Sequence, residues 1–439
     1  MDQDLTRGKI GKSLIKFATP MILGNILQIF YNIVDSIIVG RVIGPDALAQ
    51  VGSAFTIMTF LTSIIIGLCM GSAAVFSYYF GQKRIELMKN SVQFSFLFIG
   101  IISLIIMTLS IIFVDDILIF MRIPGEIYNG IKNYITIIFY GIFFIFLYNF
   151  FAFLLRSKGN SVVPLIFLAI AALINVVLDI YFVVFVKMGV EGAAFATIIA
   201  QLVAGVGLLI YTYIKEKEFR ISLKYKFDAR SAKHVIYSSF AASIQQSIMN
   251  FGILLVQGLV NSFGANVMAA FAAGVKIDAF AYMPAQEFGN AYSLFISQNH
   301  GAGKIDRVKE GTKTSIKMIL GYCLVVSILI VLFSKQFIMI FIGGQYDSII
   351  NIGIGYLRIE GILYAGIGIL FLLYGYFRGI QRPEISLLLT VISLGLRVIL
   401  AYILSGISSI GILGIWAAIP IGWIVADIIG IILIKKGKH

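Results

Sequence analysis

The sequence predicts an all-α polytopic membrane protein with twelve transmembrane helices in two pseudo-symmetric six-helix bundles. Three observations carry that prediction. The 439 residues are 59% hydrophobic and only 13% charged, with a mean hydropathy of +0.98, whereas soluble proteins carry about 25% charged residues. Apolar runs of membrane-spanning length recur along the whole chain. The second half also repeats the pattern of the first.

The apolar runs lie near 14–39, 47–78, 91–113, 131–155, 163–186, 191–214, 235–261, 267–298, 314–333, 352–377, 385–405 and 411–434. Each is close to or above the ~20 residues a bilayer requires. Runs two and eight are long enough to tilt or to extend past the membrane. Pro20 either marks the start of the first helix or kinks it.

The net charge is +13, and the positive charges cluster in short segments between these runs, which argues against nucleic-acid binding. Lys and Arg orient the chain. The amino-terminal segment, the alternate loops and the tail together hold 26 of them, against 5 in the opposite loops (Arg41, Arg122, Lys132, Lys187 and Lys335). Both termini are therefore expected in the cytoplasm, with the chain in the cell inner (plasma) membrane. Cys69 and Cys323 lie inside apolar runs and read as small buried hydrophobes. No cleavable leader is expected, because Met1–Ser13 is polar and basic.

The halves align by a shift of 220 residues, which lays GPDALAQVGSA (Gly44–Ala54) on GANVMAAFAAG (Gly264–Gly274). A shift of 222 lays Arg156 on Arg378 and GVEGAA (Gly189–Ala194) on GILGIW (Gly411–Trp416). Six helices per repeat give both halves the same orientation, with a site expected at their interface. The expected organisation is an amino-terminal lobe over 1–214, a basic cytoplasmic linker over 215–234 and a carboxy-terminal lobe over 235–439. The linker forms either a surface-lying amphipathic helix or an irregular loop.

Polar residues inside the apolar runs are the functional candidates, because a charge at bilayer depth costs about 2.5–3.5 kcal/mol on insertion scales. In the first run Gln28, Tyr31 and Asp35 share one helical face, which should look onto water rather than lipid. In the fifth, Asn175 and Asp179 are four residues apart, as are Thr197 and Gln201 in the sixth. If these helices meet, they bring together two carboxylates, an amide oxygen and a hydroxyl. Such a set suits Na⁺ as a ligand shell, or H⁺ shared between close carboxylates; its bland alternative is a hydrogen-bonded packing cluster. The candidate cation-binding residues are thus Asp35, Asn175, Asp179 and Thr197. Those for substrate are Gln28, Tyr31, Asp35, Tyr140 and Asn149, with Tyr148 as a further wall residue and Glu287 in the second half.

By the same shifts Asp35 falls on Leu255, Asn175 on Arg397 and Asp179 on Ala401, so the second half lacks the oxygen cluster. Its charges, Lys276 with Asp278 and Arg358 with Glu360, are expected as neutralising pairs, and Asp427 as structural. The runs hold no His–Glu metal spacing, CxxC, P-loop or GxSxG motif. An enzyme is therefore not expected, nor any cofactor beyond a coupling Na⁺ or H⁺.

The opening LTRGKIGKSLIKFATPMILGNILQIFYNIVDSIIVGRVIGPDALAQVG, with ASIQQS and ISQNHGAGKIDRV further on, resembles prokaryotic MATE (multidrug and toxic compound extrusion) transporters. The resemblance spans essentially the whole chain. It implies a V-shaped pair of six-helix bundles that exchanges Na⁺ or H⁺ for drug. It also implies, for DinF-like members, an amino-lobe cation site at Asp35, Asn175, Asp179 and Thr197, with Gln28 and Tyr31 in the drug pocket. The partners expected are drug-like, amphipathic and mostly cationic small molecules and membrane lipid, with the chain a monomer. The rival reading is a lipid-linked saccharide flippase of the same superfamily, which would favour a cationic cavity where this chain places acids.

Overall fold

The computed structural model describes residues 3–121, 123, 125–216, 228–343 and 345–436. Among the described residues the chain is helical and contains no strand. The helices are α1 (Ile10–Val42), α2 (Pro45–Gly81), α3 (Ile85–Ile112), α4 (Val114–Phe120), α5 (Gly125–Tyr140), α6 (Ile142–Ser157), α7 (Val162–Asp179) and α8 (Val190–Lys215). They continue as α9 (Ala229–Asn261), α10 (Ala265–Gly301), α11 (Ile305–Ile342), α12 (Asp347–Ile362), α13 (Tyr364–Gly379), α14 (Pro383–Ser405) and α15 (Ile412–Lys436). A π-helical segment, Ile180–Phe185, prolongs α7. Most of the basic linker, and Arg122, lie outside the described residues.

Ten of these helices are long and apolar enough to cross a membrane singly, and two bent pairs bring the total to twelve. The pairs are α5 with α6, bent by 41°, and α12 with α13, bent by 51°. The sequence predicts one continuous run at each place. The breaks fall at Gly141 and Leu363, which the 222-residue shift superposes.

Other backbone irregularities repeat with the same arithmetic. Phe113, between α3 and α4 (φ −100°, ψ 25°), matches the non-helical Phe333 inside α11 (φ −106°, ψ 17°) at a shift of 220. Left-handed residues recur as Gly44 and Gly264, Lys83 and Gly303, Gly159 and Gln381, and Gly189 and Gly411. The shift changes from 220 to 222 between Phe333 and Leu363, which locates a two-residue length difference in the α11–α12 region. The repeat is thus recorded in the turns and breaks of the backbone, where side-chain identity has drifted. At Lys83 and Gln381 an L side chain tolerates a conformation that its counterpart meets with glycine.

Contacts divide the chain into two compact units. Of the described residues the first holds 3–4 with 19–243 and the second holds 5–18 with 244–436, so two of the dividing points fall inside helices, the first in α1 and the second in α9. Pro20 lies within the continuous α1, one residue beyond the first dividing point. It therefore lies inside a helix rather than starting one.

In the first unit α2 packs against α6 and α9. Gly67 and Gly71, four apart on α2, let the α9 backbone approach so closely that a Cβ at either would overlap main-chain atoms of Ser243 or Ser238. Ser72 and Ser239 hydrogen-bond across the same seam at 2.8 Å. A phenylalanine cluster of Phe76, Phe96, Phe146 and Phe150 fills the space beside it. The α4 segment carries exposed Ile119 and Phe120, while its Asp115 accepts hydrogen bonds from Tyr128 (2.7 Å) and Lys132 (2.8 Å). At the foot of α9, Asp228 accepts from the Ser231 hydroxyl and from its backbone N–H at 2.8 Å, and these bonds hold its carboxyl below the usual range.

In the second unit α10 and α13 pack through glycines: a Cβ at Gly375 would fall 2.5 Å from the Gly289 carbonyl oxygen. The Arg307 guanidinium donates to the carbonyls of Leu5, Arg7 and Gly8, tying the start of the chain to α11.

Gly71→Ala must push α2 and α9 apart, and overpacking of this kind costs about 1–3 kcal/mol. The thermal midpoint of the protein in detergent is expected to fall, while Gly52→Ala, whose added Cβ meets nothing within 4 Å, is expected to leave it unchanged.

Candidate functional site

Three helices of the first unit place the sequence-predicted polar residues together. Gly24 on α1 sits against Leu165 and Leu168 of α7, and α7 packs along α8. This brings Asp35 of α1 beside Asp179 at the end of α7, with the two carboxyl groups side by side. Asn175, one turn earlier on α7, donates to the Thr197 hydroxyl at 3.5 Å, and Thr197 in turn donates to the Ala193 carbonyl at 2.9 Å. Asp35 is 8% exposed, Asn175 2% and Asp179 0%.

The polar atoms of this group are largely unsatisfied. Asp35 Oδ1, Asn175 Oδ1 and both carboxyl oxygens of Asp179 are buried without a hydrogen-bond partner. Buried polar atoms are normally paired, and each exception asks for a reason. Among the described residues no Lys or Arg acts on either carboxyl. Two adjacent carboxylates in a low-dielectric interior cannot both stay ionised without a proton or a cation between them. The donor set, two carboxylates with an amide oxygen and a hydroxyl, fits a hard monovalent cation.

The backbone at Asp179 is itself unusual. The α-helix widens there into the π-helical Ile180–Phe185, with Val186 N–H bonding to the Tyr181 carbonyl five residues back. Such widened turns are rare and occur often at functional positions. No periodicity in IYFVVF announces it.

The sequence also did not single out Tyr134. It is buried on α5 and lies within electrostatic reach of both Asp35 and Asp179. The signal available was the repeat, since the 222-residue shift sets Tyr134 on another tyrosine, Tyr356. Gln201 lies one turn beyond Thr197 on the continuous α8, and its Oε1 reaches the break between α5 and α6, where an added Cβ at Gly141 would overlap it. That oxygen is also buried and unpartnered.

The substrate candidates separate into two groups. Tyr31 is half-buried on α1, contacts the exposed Gln28, and lies within reach of Asp35 and Tyr148. Tyr148 donates to the Pro164 carbonyl at 3.2 Å and packs on Ala171, Ala200 and Ala204. By contrast, Tyr140 is 55% exposed beside the Gly141 break, and Asn149 donates to its own helix at the Ile145 carbonyl (2.9 Å). Among the described residues no hydrogen bond joins these two to the Asp35 group. Glu287, in the second unit, accepts from Asn290 at 3.2 Å and acts electrostatically on Arg378.

The second unit corrects two expected pairings. Residues two apart on a helix point to opposite sides, and Lys276 and Arg358 are exposed while Asp278 and Glu360 are buried. Lys276 lies over the Phe341 ring at 5.9 Å. Asp278 instead accepts hydrogen bonds from the hydroxyls of Tyr356 and Tyr364 and lies beside Glu360. Gly274 makes room for the Tyr356 ring, which a Cβ would overlap.

The MatE family profile matches residues 20–181 and 241–403, and the chain belongs to the MatE family, a class of membrane-embedded transporters. A relative from Bacillus subtilis named "Probable multidrug resistance protein YoeA" is 28% identical over 97% of this chain and 93% of its own. "Probable multidrug resistance protein NorM" of Thermotoga maritima is 26% identical over 96% and 90%, and a "FAD transporter" of Shewanella oneidensis 22% identical over 95% and 92%. A MATE transporter solved in an outward-facing conformation superposes with a TM-score of 0.93 at 24% identity, over 98% of this chain and 96% of that one. A MOP superfamily transporter from Pyrococcus furiosus gives 0.92 at 24% identity, over 98% and 96%. These structures share the fold.

Removing the Tyr356 or Tyr364 hydroxyl leaves a buried Asp278 oxygen unpaired, at a cost of about 1–3 kcal/mol. Tyr356→Phe and Tyr364→Phe are each expected to lower the thermal midpoint in detergent, whereas Tyr140→Phe, on an exposed side chain, is expected to leave it in place.

Proposed function

We propose that the chain is a cation-coupled multidrug efflux antiporter. It exports amphipathic, mostly cationic organic compounds by alternating access and takes up Na⁺ or H⁺ at the Asp35–Asp179 pair. The observation that carries this reading is the set of buried, unpartnered oxygens on Asp35, Asn175 and Asp179. A single cation or proton relieves both the mutual repulsion of the carboxylates and their missing hydrogen bonds. The stripe from Gln28 through Tyr31 leads to Asp35 along one face of α1, so substrate and coupling ion meet at the same carboxylate.

Coupling requires each ligand to prefer one of two conformations. Cation at Asp35 and Asp179 favours one state and substrate near Tyr31 the other, and their competition converts a cation gradient into export. The chain works as a monomer in the plasma membrane with both termini in the cytoplasm. The relatives' names cover both drugs and a flavin nucleotide, so the substrate panel must span both charges.

The test uses proteoliposomes loaded with a fluorescent organic cation or with FAD, under a Na⁺ gradient alone and then a pH gradient alone. One of the two gradients is expected to drive efflux of the cation, and Asp35→Asn to abolish it at unchanged expression. Efflux by Asp35→Asn at the wild-type rate, or no efflux of the cation under either gradient, would sink the reading. FAD efflux in place of the cation would overturn the substrate class.

A further inference from the structure

The second unit holds a polar crevice that the proposed transport cycle does not use. Gln245 and Gln246 of α9, Gln286 and Asn290 of α10 and Arg378 of α13 line it, and no carboxylate is among its lining side chains. All of these residues belong to the second unit. The backbones beneath are fixed, because a Cβ on Gly289, next to Asn290, would fall 2.8 Å from the Phe371 carbonyl oxygen.

Arg378 supplies the charge of the crevice. It is 4% exposed, its Nε–H donates to the Ser293 hydroxyl at 3.1 Å, and an Nη donates to Asn290 Oδ1 at 3.0 Å. These two bonds hold the guanidinium in one orientation. The glutamines differ. Gln245 is 2% exposed and lines the crevice, yet its carboxamide makes no hydrogen bond to another described residue. The half-buried carboxamides of Gln246 and Gln286 make none either. Buried polar groups are normally paired, and three unbonded amides converging on one arginine ask for an occupant.

The fold itself does not require these groups. At the shift of 222 Arg378 falls on Arg156, and at 220 Gln245 falls on Asn25. Gln246, Gln286 and Asn290, however, fall on Ile26, Ile66 and Met70. The first unit thus keeps an arginine at this place with apolar side chains at the matching positions, whereas the second unit carries carboxamides there.

We propose that this crevice binds the anionic head of an organic anion, a carboxylate or phosphate carried on an apolar or aromatic body. A fixed guanidinium suits the planar or tetrahedral oxygens of such a head, and the unbonded carboxamides supply further N–H donors without adding charge. Met249 and Phe371 give the body an apolar wall. The crevice is narrow and admits the head alone, and Gln246 and Gln286 can turn aside to widen it without breaking a hydrogen bond. Glu287 is not among the lining residues. It accepts from Asn290 at 3.2 Å, and its charge offsets part of that of Arg378, so the anion is held reversibly. The site goes beyond the antiport reading, which concerns cations in the first unit, and does not depend on it.

The test uses full-length protein carrying Asp35→Asn, purified in detergent and dialysed to equilibrium against radiolabelled benzoate or phenyl phosphate at constant ionic strength. Saturable binding of one anion per chain is expected, and excess benzylammonium should not displace it. Phosphatidylglycerol in mixed micelles is the second competitor. Displacement by it assigns the site to a lipid headgroup, and failure to displace assigns it to a soluble anion; both support the site. Gln245→Leu and Gln286→Leu remove amides that bond nothing in the protein, so each is expected to leave the thermal midpoint in place while weakening the anion about tenfold. Arg378→Gln should abolish binding, and Glu287→Gln should tighten it several-fold. No saturable binding of either anion, affinity unchanged in both leucine variants, or displacement by benzylammonium overturns the proposal. If Arg378→Gln yields no folded protein, the leucine variants and Glu287→Gln decide the matter. Asp35 is replaced throughout, so the anion site and the cation-coupling reading can each fall alone.

Discussion

The repulsion between two carboxylates held side by side in a low-dielectric interior is the constraint around which this protein is arranged. A soluble protein would dissipate it into water. Within a membrane-spanning bundle it can be relieved only by a proton, a metal ion or a fixed positive side chain. The first unit contains Asp35 and Asp179 with no basic side chain acting on them among the described residues, and it leaves their oxygens unsatisfied. The second unit contains Asp278 and Glu360, with Asp278 accepting hydrogen bonds from the Tyr356 and Tyr364 hydroxyls. The two halves of the chain thus hold their buried acids in different surroundings.

Helix packing makes this arrangement possible. Close approach of α2 to α9 through Gly67 and Gly71, and of α10 to α13 through Gly289 and Gly375, fixes backbones at distances that no side chain would permit. Rigid seams of this type hold the buried acids in register, since lipid offers no hydrophobic drive to keep helices together. The breaks at Gly141 and Leu363 bend the helix pairs that carry Tyr134 and Tyr356, by 41° and 51°.

Much of this was legible in the sequence. Twelve apolar runs were visible because a spanning helix needs a length and composition that few soluble segments match. Asp35, Asn175 and Asp179 stood out because polar residues at bilayer depth are rare and their spacing places them on shared faces. The pairing of Lys276 with Asp278 and of Arg358 with Glu360 was misread for a geometric reason: nearness in sequence suggested attraction, but a two-residue step turns the side chain to the far side of the helix. Tyr134 and the π-helical turn after Asp179 gave no local signal. The repeat held the clue to the first, through Tyr356, and the second depends on how the end of α7 meets the start of α8, where Gly192 packs against Phe182. Sequence patterns report faces and spans; they do not report where a helix gains a residue per turn.

The short α4 has a consequence of another kind. Beyond the break at Phe113 it turns a strongly apolar edge outward, with Phe120 85% exposed, while Asp115 is held back by Lys132 and Tyr128. The matching stretch beyond Phe333 does the same with Ile340, 73% exposed. Segments with one oily and one charged edge settle at the boundary between headgroups and acyl chains. Each unit carries one such apolar edge, and an edge anchored at that boundary would tie the fit of its unit to the thickness of the surrounding lipid.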